Sequence, residues 1–183
     1  MAMSIKEVAA MVAGAKVSGG GNYITAGRGT LVVSEWLYKP EAFNGPTLIC
    51  AFKVESSFDL PGAVDENGKT VRANAPGTTC SFSRMIGAGK NQDFFLGQVK
   101  ALIDTLDGGE TEDLGALIEQ IAAVVAKDGS QTTPAASCAG MRVNYEATLG
   151  KSKKGEPVTN IKWHAFPNDE ASIKTGRAFL DVV

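Results

Sequence analysis

The sequence predicts a mainly-β fold with a helical insertion, an α+β protein whose strands come in clusters. Three observations lead there. Stretches of alternating apolar and polar residues form one group before Ile86 and a second after Gly140. Two stretches with apolar residues at helical spacing lie between those groups. The 183 residues include 21 glycines, above the usual share of about 7%, which favours turns and strands over a helical bundle.

Taken in order, Ile5–Lys16 carries Ile5, Val8, Ala9, Met11 and Val12 at helical spacing, with Ser4 as its cap. Ser18 to Asn22 is a glycine-rich break. The first strand runs Gly29–Tyr38, with Leu31, Val33 and Leu37 alternating with Thr30, Ser34 and Trp36. The second, Thr47–Ser56, puts Leu48, Cys50, Phe52 and Val54 on one face. Asp59 to Pro76 is turn-rich, and Thr78–Ser83 is a third strand with Cys80 and Phe82 on one face.

A helix then starts at Asn91 with the stripe Phe95, Val99, Leu102, Ile103 and Leu106, and Asp107-Gly108-Gly109 ends it. Thr111 caps a second helix with the stripe Leu114, Leu117, Ile118, Ile121 and Val125. Strands Met141–Thr148 and Val158–Phe166 close the order β-β-β-α-α-β-β, and a short helix is expected over Ser172–Leu180. Clustered strands disfavour a doubly wound parallel sheet. The order fits a five-stranded Greek-key barrel of the OB-like type, with a split α+β sandwich as the competitor. The expected organisation is an N-terminal helical segment and linker over 1–20, an OB-like domain over 21–167 and a C-terminal tail over 168–183.

A net charge of -2 and a pI near 5.5 exclude binding by overall positive charge. The positive charge is local instead. Lys151, Lys153 and Lys154 sit between Gly150 and Gly155 at the tip of the closing strand pair, where a sharp bend brings their ammonium groups together. Basic and aromatic residues also interleave along the strands: Trp36 and Tyr38, Lys53, Arg84, Arg142, and Lys162 beside Trp163. That combination suits a single-stranded nucleic acid, held by phosphate tracking and by base stacking. Alternation assigns Phe52 and Phe82 to the core, Trp163 with Ile161 also to the core, and Trp36 and Tyr38 to the exposed face.

Other chemistries fail on spacing. Ile86 to Asn91 imitates a phosphate loop, but Arg84 stands where the first glycine belongs and Asn91 where Ser or Thr belongs. The single histidine, His164, lacks metal-ligand or triad spacing, and there is no GxSxG elbow. Cys50, Cys80 and Cys138 form no CxxC pair, which points to a reducing cytoplasm. Neither a secretory leader nor an apolar run of about 20 residues is present, so no membrane partner is expected. No enzymatic activity and no cofactor or metal are expected.

The layout resembles a group of phage-encoded single-stranded-DNA-binding proteins with an OB-like fold. The matching residues are Gly21-Asn22-Tyr23, Pro76-Gly77, the helix Phe94-Phe95-Leu96-Gly97-Gln98-Val99-Lys100-Ala101-Leu102, Gly140-Met141-Arg142-Val143 and Asn160-Ile161-Lys162-Trp163. The resemblance implies sequence-independent binding of single-stranded DNA in replication or recombination, without catalysis. Phosphates would then contact Lys151, Lys153, Lys154, Lys53, Arg84, Arg142 and Lys162, and bases would stack on Trp36 and Tyr38. Homo-oligomerisation and phage replication or recombination proteins are further partners it leaves open. The last residues, Arg177–Val183, differ from the phenylalanine-tipped acidic tail of bacterial single-strand binders. The alternative is a non-enzymatic structural or interaction protein, an assembly subunit or a host-defence antagonist.

Overall fold

The computed structural model describes residues 23–43, 45–86, 92–108, 113–152, 155 and 157–166. The expected helices over Ile5–Lys16 and Ser172–Leu180, the glycine-rich break, the Thr111 cap, and Lys153 and Lys154 lie outside the described residues.

The chain is mainly β. Strands β1 (Gly27–Lys39), β2 (Thr47–Phe58) and β3 (Thr79–Met85) form an antiparallel meander. Helices α1 (Gln92–Asp107) and α2 (Leu114–Ile121) follow, then a short strand β4 (Ala122–Val124) and the hairpin β5 (Arg142–Lys151) and β6 (Pro157–Ala165). The sheet order is β3-β2-β1-β5-β6, with β4 also on β1. The sheet has six strands and is open, where the sequence predicts five strands closed into a barrel.

The physical reason for the open seam lies in what fills it. The two edge strands, β3 and β6, meet through side chains instead of a backbone ladder. Trp163 of β6 stands edge-on to Phe82 of β3 at 5.4 Å and tilted against Phe52 of β2 at 5.9 Å. Helix α1 lies against both edges and inserts Val99, Leu102 and Ile103 into the core.

Strand β1 organises the rest. Its first half pairs with β5, from Gly27 opposite Ala147 to Val32 opposite Arg142. Its second half pairs in parallel with β4, from Trp36 opposite Ala122 to Tyr38 opposite Val124. The change of partner coincides with a bulge: Val33 faces Phe52 and Glu35 faces Ala51, leaving Ser34 as an extra residue. A second irregularity leaves Glu55 of β2 unpaired between Thr30 opposite Ser56 and Leu31 opposite Val54.

Strand β4 replaces the last turn of the predicted second helix. Helical spacing runs on to Val125, but α2 stops at Ile121 and Ala122 is extended, with φ -93° and ψ 125°. The free edge of β1 takes up this backbone, and Val125 N–H donates to the Tyr38 carbonyl at 2.8 Å. At the other end Asp113 caps α2, its side chain accepting from the Ala116 amide at 3.0 Å. No helix among the described residues is long and apolar enough to cross a membrane.

One buried pair is polar. Thr30 and Asn144 lie opposite each other on β1 and β5, and the Thr30 hydroxyl donates to Asn144 Oδ1 at 2.8 Å.

Candidate nucleic-acid interface

The Ser34 bulge decides where the aromatic residues of β1 go. Without it Trp36 would share a face with Val32, opposite to the core side chains Leu31 and Val33. One inserted residue reverses every later side chain, so Trp36 stands opposite Cys50 and Tyr38 opposite Leu48, on the core face. Trp36 is 2% exposed, and Tyr38 is half-buried against the core cluster. The expected placement of Trp36 and Tyr38 on the exposed face is therefore corrected. Trp36 has no ring face free for a base. Phe52 and Phe82 are buried as the alternation predicts, and Trp163 is partly buried against them.

The predicted cations divide between two places. Lys53, Arg142 and Lys162 are exposed on the sheet face away from the core. Lys53 and Arg142 flank Val32 from β2 and β5, and Lys162 stands opposite Glu146, which in turn stands opposite Arg28. Lys151 is exposed at the end of β5. Among the described residues Lys53, Lys151 and Lys162 form no ion pair.

Arg142 is engaged. Its Nε lies 3.0 Å from both carboxylate oxygens of Glu55 and its Nη2 lies 3.0 Å from one of them. The Glu55 hydrogen bonds and charge hold the guanidinium proton more tightly than usual. The bulge that leaves Glu55 unpaired in the ladder thus supplies a neighbour for Arg142, and the pair masks that cation. Glu35, Glu55 and Glu146 intersperse the same face, so its field is mixed; Lys53 and Lys162 are cations of that face without an ion pair among the described residues, and Lys151 lies apart at the hairpin end, in phase with Val143 and Tyr145.

Arg84 belongs elsewhere. It ends β3 on the core side, opposite Leu48, and its guanidinium carbon lies 4.2 Å from the Phe82 ring centroid. Its Nε donates to Gln98 Oε1 of α1 and its Nη1 to the Ser83 carbonyl at 2.7 Å. Burial lowers its proton affinity. Around it runs an open groove of about 280 Å³ lined by Phe82, Phe94, Gly97, Gln98 and Trp163. Phe94 is 61% exposed there. Phe94, Gly97 and Gln98 do not figure in the residue-based reading of the site. The available signal is their spacing, which sets them on the flank of the α1 apolar stripe.

The Cys50 and Cys80 thiols and the buried phenol are held neutral. Burial pushes Cys50 well up, with the charges of Cys138 and Cys80 adding to it, and pushes Cys80 up to about 12. Tyr145, whose hydroxyl has no hydrogen-bond partner among the described residues, is raised first by burial and then by the charges of Cys80 and Asp59. Among the described residues no three His, Cys, Asp or Glu side chains are grouped to hold a metal ion. No protein-family model, curated protein or solved structure matches this chain.

Proposed function

We propose that this chain binds single-stranded DNA without sequence preference and without catalysis, in phage replication or recombination. The observation that carries the reading is the set of exposed lysines Lys53, Lys151 and Lys162, none ion-paired among the described residues, spread over β2, β5 and β6 of one sheet. Cations without carboxylate partners release no salt bridge when a phosphate arrives, so they favour a polyanion even on a chain of net charge -2. Lys153 and Lys154 follow Lys151 closely in the sequence and add two further positive charges to that stretch. The phage setting comes from the family resemblance alone. An OB-like architecture, left unclosed, belongs to the same proposal. It is supported by the three-stranded meander, the helical insertion and a hairpin that returns to β1.

Fluorescence anisotropy with a labelled oligonucleotide across a salt series tests the reading. Affinity should fall as salt rises. Replacing Lys53, Lys151 and Lys162 by alanine should reduce the slope of log K against log salt by about 2, at about 0.7 per single-strand phosphate contact. No binding at low salt, or binding indifferent to salt, sinks the proposal.

One feature favours the alternative of an assembly or interaction subunit: Phe43, between β1 and β2, is fully exposed. A regular oligomer in solution, indifferent to DNA and dispersed by Phe43→Ser, would support it.

A further inference from the structure

We propose that the groove between α1, β3 and β6 is a stacking subsite for one unstacked base of a bound single strand. The inference rests on the nucleic-acid reading above and assigns it a second, chemically different contact.

Gly97 is the first observation. It lies in the interior of α1 and lines the groove, and a Cβ built on it meets nothing within 4 Å. Glycine weakens a helix interior, and here the protein's own packing does not require it. Its effect is to keep the groove empty.

The walls are flat and preoriented. Trp163 is held by contacts to Phe82 and Phe52 at 5.4 and 5.9 Å, so its ring does not have to be ordered when a ligand enters. Phe94 stands one turn before Gly97 and leaves most of its ring in solvent. Every base presents a π-face that such rings accept without regard to sequence.

The polar groups select a base over a phosphate. Arg84 is half-buried, and among the described residues it has only neutral hydrogen-bond partners, the Gln98 side chain and the Ser83 carbonyl. A partly desolvated cation without a counter-ion draws an acceptor such as a base carbonyl oxygen. Asp93 lines the same groove without pairing to Arg84. Its carboxylate repels a phosphate and accepts from a ring imide N–H, as in thymine, or from an exocyclic amine. The volume of about 280 Å³ falls at the foot of the ~300–1,000 Å³ range of small-molecule pockets. It suits one planar ring system and is too small for a docked helix.

The experiment compares a labelled oligothymidylate with an abasic oligonucleotide of equal length, which keeps the phosphates and lacks the bases. Two variants are titrated, Phe94→Ala and Gly97→Leu, each checked by thermal unfolding. Both positions face solvent, and neither substitution removes a core contact. Each variant should weaken oligothymidylate binding about tenfold and leave abasic binding unchanged. Wild-type affinity for both probes that survives in both variants overturns the groove proposal and gives the groove to some other occupant, a protein aromatic among them. Equal losses on both probes also overturn it. A wild-type protein that binds neither probe overturns the nucleic-acid reading itself, and the groove proposal with it.

Discussion

Replacing Gly29 by alanine tests the packing of β1 on β2 directly. Gly29 has φ +155°, and a Cβ built on it lies 2.1 Å from the Ser56 carbonyl oxygen and 2.8 Å from Ser57 Cα. Real Cβ contacts essentially never fall under 3.0 Å, and the obstructing atoms are backbone, with no flexible end to swing aside. The strands must separate by about 1 Å at a place where Glu55 already interrupts the ladder. A backbone conformation that alanine disfavours costs about 1–3 kcal/mol, and forced separation of packed elements about 1–3 kcal/mol more. A midrange loss of about 4 kcal/mol is a large part of the ~5–15 kcal/mol that holds a domain folded. For a chain of this size it lowers Tm by roughly 8–16 °C. Gly97→Ala is the matched comparison. Its Cβ enters open space, and alanine gains about 0.8–1 kcal/mol over glycine in a helix interior, so Tm should rise by roughly 2–4 °C. Thermal and urea unfolding followed by circular dichroism measure both. A Gly29→Ala protein that melts with the wild type, or the same sign of shift for both variants, refutes the reasoning.

Further outcomes follow from the core. Trp36→Ala should cost about 3–5 kcal/mol in urea unfolding and leave oligonucleotide affinity at fixed salt unchanged in the protein that remains folded. A selective loss of that affinity would return Trp36 to the interface. Asn144→Ala should cost about 1–3 kcal/mol by orphaning the Thr30 hydroxyl, and pairing Thr30→Val with Asn144→Leu should recover most of that loss. Cys80 keeps its proton to about pH 12 when folded, against 9.0 for an ordinary thiol. The unfolded chain therefore gives up that proton first, and stability should be intact below about pH 9 and decline as pH rises toward 12. Tyr145, raised in the same sense, adds to the decline above its ordinary value of 10.0. Urea midpoints measured across that range should fall, less steeply for Cys80→Ala, and a flat profile contradicts the assignment.

Much of the sheet was legible because its alternation is unbroken. Leu48, Cys50, Phe52 and Val54 of β2, and Cys80 and Phe82 of β3, keep strict period and are buried as that period requires. Strand β1 is not legible past Ser34, because a bulge leaves no compositional mark and periodicity carried across it assigns Trp36 and Tyr38 to the wrong face. Strand β4 was hidden in a segment whose apolar spacing continues that of α2, and only the vacant edge of β1 makes it a strand. The free lysines could be proposed from residue type, but the capture of Arg142 by Glu55 depends on two strands that share β1 as a neighbour. The groove was out of reach for a related reason. Phe94 and Gly97 gain meaning only once α1 is laid across the edges of β3 and β6.

The seam between β3 and β6 has a consequence for how the molecule yields. In a sheet closed by a ladder, parting the last two strands breaks a row of backbone hydrogen bonds together. Here Trp163 and Phe82 join the edges ring to ring, and α1 presses on them from one side. Loosening that joint exposes apolar surface but breaks no ladder between the two strands, so it is a graded process. Apart from the bridge between Tyr23 and Ser81, the outward amides of these edges have no strand partner among the described residues. They should exchange with solvent quickly while the rings beneath them stay packed. The seam is thus a compliant joint, a line along which the sheet can widen without parting a strand ladder among the described residues.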